Sequence, residues 1–306
     1  MESCDHMDFS CHIIVAKLRY KDIYTVRFSF FDKFGARNSA PVFAAFARGL
    51  DRHGVSRSHH DLTADVAVIW SVVWAGRMKA NQAVWRHYRR QDRPVVVLEV
   101  GMLRRDHTWK IGINGTGFTS RFCLDLDPQR DQTLGINMAP WHTDGTKIVI
   151  CAQRGDSEQW AGQPAVSTWL DQTVAHIRQV SDRPIVIRPH PRQPAHCPAG
   201  SQLMRPARVP GTYDGYDLDR ALAQAWCVVN WNSGPGCQAI IQGVPVLTGP
   251  DSLAAPVATQ AWTQIESPAR PNREQWFLDL CHTEWTLPEI ESGVMLDQLL
   301  ARIKSL

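Results

Sequence analysis

Residues 221–250, ALAQAWCVVNWNSGPGCQAIIQGVPVLTGP, decide the fold. They read as helix, buried strand, glycine-bearing turn, helix, tight turn and short strand. Cys227-Val228-Val229 is the apolar core of the strand. Asn232-Ser233-Gly234-Pro235-Gly236 breaks the ladder, because its glycines and proline cannot continue it. A helix over 237–242 starts at that turn, and Gly243 leads into the next strand. A helix start of this kind is an anion site: its first amides lack partners within the helix, and its dipole end is positive. Ser233 adds a hydroxyl, and Gly234 and Gly236 let a ligand approach the backbone. The same residues also suit an ordinary helix cap on a β–α turn.

The 306-residue chain is 44% hydrophobic, enough to core one large or two medium domains. No run of eighteen apolar residues predicts a membrane span, so no stable membrane insertion is expected. The first twenty residues lack the pattern of a secretory leader. Eight scattered cysteines, none in C-x-x-C, point to a reducing cytoplasm rather than a zinc cluster. Net charge is +3. It is uneven: residues 1–145 carry 20 Lys/Arg against 15 Asp/Glu, and residues 146–306 carry 13 against 15. A polyanionic partner would meet the first half.

Two strand-like runs, HIIVAKLRY and IYTVRFSFF, open the chain. A helix is expected over 41–50, a polar turn over 52–58, a buried strand over 65–71, a helix over 81–91 and a second buried strand over 94–100. Residues 101–145 read as long irregular loops. A second alternation follows: strand 147–153, helix 165–180, strand 184–188, a proline-rich loop over 189–210 and helix 217–225. The pattern predicts an α/β, doubly wound chain with two Rossmann-like domains facing a cleft. We divide it into residues 1–145, 146–270 and a helical tail, 271–306, packing back across both domains. Within that tail, helices over 272–282 and 288–303 flank a short break at 283–287.

Three turns follow predicted strands of the second half. They are Gln153-Arg154-Gly155-Asp156, Arg188-Pro189-His190-Pro191-Arg192 and Asn232–Gly236. Ligands of open α/β sheets gather at that edge. Arg188 offers a phosphate fork, and two prolines fix the His190 imidazole. Together the turns describe a nucleotide pocket without a Walker lysine or G-x-G-x-x-G. In the first half Glu99 ends an apolar strand, where partial desolvation would raise its pKa toward that of a general base. His107 is the runner-up base, and Asp65 reads as structural. Asn114, Gly115, Gly117 and Arg104 lie in loops that could reach a ligand. Trp70, Trp74, Trp85, Trp109 and Trp141 offer faces for sugars or bases, although most tryptophans are core. Asp125-Leu126-Asp127 has D-x-D spacing but reads as surface, so no metal is assigned.

RPHP at 188–191, followed by NSGPGCQAIIQGVPV, resembles the donor half of GT-B glycosyltransferases. It is most similar to capsule-polysaccharide Kdo transferases and a related phage-encoded set. PVVVLEVGML, WKIGINGTG, APWHTDGTKIVICAQRGDS and REQWFLDLCHTEWTLPEIESG extend the resemblance over about residues 90–293. It implies that His190, Pro191 and Ser233 hold a nucleotide sugar, UDP- or CMP-linked, with no further cofactor. Where these families carry paired serines, this chain has Ser233-Gly234. We read the chain as an inverting, metal-independent transferase, with Glu99 as the expected base. The expected acceptor is a hydroxymethylated pyrimidine in phage DNA, bound near Trp74, Trp109, Arg104, Asn114 and Gly115. The alternatives are a capsule or lipopolysaccharide acceptor, and a non-catalytic nucleotide- or nucleic-acid-binding module.

Overall fold

A computed structural model describes residues 26–212 and 214–306. The run HIIVAKLRY lies outside them. The first lobe begins with β1 (Phe28–Phe30), α1 (Ala40–Arg52), β2 (Arg57–His59), β3 (Val66–Trp70), α2 (Asn81–Arg89), β4 (Val95–Val100), β5 (Thr108–Ile113) and α3 (Arg130–Leu134). The second holds β6 (Lys147–Cys151), α4 (Val166–Arg178), β7 (Ile185–Arg188), β8 (Ser201–Leu203), α5 (Leu218–Leu222), β9 (Ala225–Val229), α6 (Gly234–Ile241) and β10 (Val246–Leu247). The tail supplies α7 (Glu274–Cys281), β11 (Glu284–Thr286), α8 (Leu287–Ser292) and α9 (Leu296–Lys304).

The second sheet is parallel throughout, in the order β10-β9-β6-β7-β8. That is the Rossmann order, and the progression of strands switches sides between β6 and β9. The first sheet runs β11-β5-β4-β3-β1-β2, parallel from β2 to β4, with β5 and β11 antiparallel. The central strands are apolar along their length because helices cover both faces. Val66 to Ile69, Val95 to Leu98 and Ile148 to Ile150 are 0% exposed.

In the first lobe α1 seats Phe43 and Phe46 on Phe28 and Phe30, with the Phe28 and Phe46 rings 6.3 Å apart. Each such side chain contributes roughly 1.5–3 kcal/mol by leaving water. The tail completes this core. Leu296, Leu299, Leu300 and Ile303 of α9 recur every three or four residues and bury one stripe in it. Gly49 lets α1 approach α8, since a Cβ there would sit 2.5 Å from the Ile290 carbonyl oxygen.

Several expectations need correction. Residues 101–145 are not all loop, because they hold β5 and α3. The break at 283–287 is β11, a strand that pairs Trp285 with Trp109. The polar turn after α1 ends in β2, and the proline-rich loop contains β8. The last helix is two, divided at Gly293, whose φ of +75° ends α8. The helix expected over 217–225 stops at Leu222, and Ala225 already belongs to β9.

Candidate functional site

The three turns meet at the carboxyl edge of the second sheet, two of them across the β6/β9 switch point. Gln153 follows β6 and Asn232 follows β9. The Gln153 Nε2 donates to Asn232 Oδ1 at 2.6 Å, and the Asn232 amide donates to Gln153 Oε1 at 3.2 Å. Asn232 Nδ2 donates to the Gln159 carbonyl oxygen. Both amide side chains are therefore occupied in positioning the turn rather than offered to a ligand. Asn230 Nδ2 donates to Ser233 O at 2.8 Å and to Ser233 Oγ at 3.2 Å, which orients the hydroxyl.

The glycines act through packing. A Cβ on Gly236 would lie 2.7 Å from Asn230 Oδ1, and one on Gly234 would lie 3.2 Å from Met102 Sδ of the other lobe. Gly155 likewise faces Val166 of α4 at 3.2 Å. Ser233 caps α6 in an extended conformation without a side-chain cap bond. Pro235 removes one first-turn amide, and the Gly236 amide donates to Ser233 O, so the Gly234 amide is the donor this helix start presents.

Arg188 closes β7 and is 5% exposed. Its Nη2 donates to Asp217 Oδ1 at 3.0 Å, whereas its Nη1 is buried without a hydrogen-bond partner among the described residues. A buried, unpartnered guanidinium arm costs about 1–3 kcal/mol, which makes this atom a candidate donor to an anion. Next to it, half-buried His190 accepts the Arg192 amide on Nδ1 at 3.1 Å. That leaves the neutral ring's proton on Nε2. Burial, followed by Arg154 and Arg192, pushes its pKa down to about 4. Near neutral pH His190 is thus an uncharged N–H donor. Pro191 is exposed and stiffens the turn. Asp156 is held below the usual carboxylate range by its bidentate bond from Arg154, at 2.7 and 2.5 Å.

The first lobe presents its own carboxyl edge. The Trp74 amide donates to Asp156 O at 2.7 Å and its indole donates to Glu158 Oε2 at 3.0 Å, so Trp74 stands at the lobe contact. Glu99, Lys110 and Glu284 are register partners across β4, β5 and β11. Directly opposed residues share a sheet face, and this row lies on the face turned to α6. Lys110 Nζ rests 3.7 Å from Met102 Sδ. Burial pushes the Cys237 thiol of α6 up to about 12, with Lys110 lowering and Glu284 raising it. Glu99 is half-buried, and its Oε1 accepts the Val100 amide.

Of the acceptor expectations, the structure contradicts Trp109. Trp109 is 6% exposed and packs 6.0 Å from Trp70 in the core, because alternation along β5 turns it inward. Arg104 donates to the Leu134 carbonyl oxygen at the end of α3. Asn114, at φ +63°, forms the turn after β5, where its Oδ1 accepts the Val95 amide at 2.9 Å at the start of β4. Gly115 belongs to that turn, its carbonyl oxygen 2.3 Å from where a Gly112 Cβ would stand. His107 sits in an exposed turn. Lys110, Met102 and Glu284 were missed, since only the pairing of β5 and β11 brings them to the gap. Among the described residues no group of His, Cys, Asp or Glu is arranged to hold a metal ion, and no helix is long and apolar enough to cross a membrane.

No protein-family model and no curated protein matches the sequence. Solved structures do match. One is KpsC of Thermosulfurimonas dismutans, described as a β-Kdo 2,4 transferase. It is 11% identical, covers 91% of this chain and 98% of its own, and has a TM-score of 0.50. A second, described as a β-Kdo 2,7 transferase of the same organism, is 14% identical over 89% and 99%, also at 0.50. The chain has the GT-B fold. At these identities the likeness concerns fold, and function has to rest on the site.

Proposed function

We propose that the protein is a glycosyltransferase that takes its sugar from a nucleotide sugar. The observation that carries this reading is the corner at the second sheet's edge. There a buried Arg188 arm without a partner and a neutral His190 N–H follow β7, while the Gly234 amide follows β9 beside Ser233, all on one edge of the sheet. Such donors stabilise charge where it develops on a departing phosphate. In the proposed step Glu99 takes the proton of an acceptor hydroxyl. The oxygen forms its bond to the anomeric carbon as the bond from that carbon to the phosphate oxygen breaks. The electron pair leaves with the nucleotide, and a single displacement inverts the centre.

The fold it shares with Kdo transferases favours a saccharide hydroxyl as acceptor. A hydroxymethylated pyrimidine in DNA is the second reading, favoured by the basic balance of residues 1–145. Against it, Trp70 and Trp109 lie in the core, so they are not surfaces for a flipped base. The test is release of free nucleotide from a panel of UDP-, CMP- and GDP-sugars, with oligosaccharide or hydroxymethylated DNA as acceptor. Glu99→Gln should abolish transfer and spare nucleotide binding. Wild-type protein that cleaves none of the panel, or full transfer by that variant, would overturn the reading.

A further inference from the structure

We propose that Glu284 is a positioning residue that sets the donor corner from the other lobe. Its carboxylate is 0% exposed and has no ion-pair partner among the described residues. A carboxylate is left so deep only when its oxygens are satisfied by hydrogen bonds. Here Oε1 accepts the Met102 amide at 2.7 Å, and Oε2 accepts the Leu103 amide at 3.0 Å and Thr108 Oγ1 at 2.7 Å. Gly101 has no room for a side chain, since a Cβ would meet Glu284 Oε2 at 2.5 Å. The loop after β4 is thereby fixed to the tail strand.

That loop bears on α6. Met102 Sδ lies 3.2 Å from where a Gly234 Cβ would stand, and the Met102 carbonyl oxygen accepts Gln238 Nε2 at 2.9 Å. Glu284 therefore acts through Met102 on the helix start that carries Ser233 and Gly234. A carboxylate serving only to close the β5–β11 edge would need no amides from 102 and 103. The consequence for activity rests on the proposed donor site, but the geometric claim stands apart from it.

The test is a double-mutant cycle of Glu284→Gln and Met102→Ala, read by hydrogen exchange at the α6 amides. Glutamine keeps the shape but turns an NH2 toward a donor. Exchange across α6 is expected to quicken in each single variant and no further in the pair, because both break one path. Unchanged α6 exchange in Glu284→Gln, or fully additive effects, would overturn the proposal. Should Glu284→Gln fail to fold, Thr108→Val removes one of the three bonds, and the same cycle is run with it. A second readout is titration with CMP and UDP, where Glu284→Gln should weaken binding about tenfold, the loss of roughly one charge-assisted hydrogen bond. Wild-type protein that binds neither nucleotide would sink the donor site, while the exchange data would still decide the role of Glu284.

Discussion

Replacing Arg188 by Met keeps the stem's volume and removes the guanidinium. Two effects on stability oppose one another. The bond to Asp217 at 3.0 Å is lost, which costs about 1.5–3 kcal/mol for a charge-assisted bond. Asp217 keeps the Ala207 amide at 2.8 Å, and its side chain is 19% exposed, so the low end applies. The substitution also removes the unpartnered Nη1, which relieves about 1–3 kcal/mol of buried desolvation. The net loss is at most about 2 kcal/mol, a Tm shift of a few degrees. Binding has no such compensation. An Arg–phosphate bond of about 1.5–3 kcal/mol predicts a Kd higher by about 10- to 150-fold. Arg188→Lys should fall between, since a point charge cannot hold Asp217 and a phosphate together. The assay is calorimetric titration with UDP and CMP on variants shown to be folded. A folded Arg188→Met protein whose nucleotide Kd stays within about twofold of wild type would refute the assignment of Nη1 to the ligand.

Gly236→Ala places a Cβ 2.7 Å from Asn230 Oδ1, whose amide is held in place by the Nδ2 bonds to Ser233, and should cost about 1–3 kcal/mol in denaturant unfolding. Gly234→Ala meets only the flexible Met102 thioether at 3.2 Å and should cost less than Gly236→Ala by the same measurement. His190 has a native pKa of about 4 against 6.5 for the free side chain. The unfolded chain therefore takes up its proton first, and His190 lowers stability as pH falls from about 6.5 to about 4. His190→Gln should flatten the pH dependence of unfolding across that window, and an unchanged slope would contradict the neutral imidazole. Trp109→Phe should lower Tm with little effect on KM for any acceptor, since the ring fills the core.

What the sequence made legible follows from burial. β3, β4, β6, β7 and β9 are apolar runs because helices cover both of their faces, and a continuous Val/Ile run says so directly. β2, β8 and β10 have two or three residues each and carry no period to read. β5 was hidden because Thr108-Trp109-Lys110 sits among turn-forming residues, and β11 because its partner lies on the far side of the second lobe in sequence. The turns of the candidate site were legible for a related reason: Arg188, His190 and Ser233 each follow a readable strand. Their detailed roles were not, since Gln153 and Asn232 spend their amides on each other and the glycines make room for Asn230 and Met102. Glu284 depends on a strand pairing that no local pattern announces, and Trp109 was misplaced for want of the same strand.

The most direct measurement is a crystal structure grown with a nucleotide of the binding class. Its phosphate is expected within hydrogen-bond distance of Arg188 Nη1 and His190 Nε2, against the Gly234 amide. A nucleotide bound elsewhere, with that corner empty, would contradict that expectation.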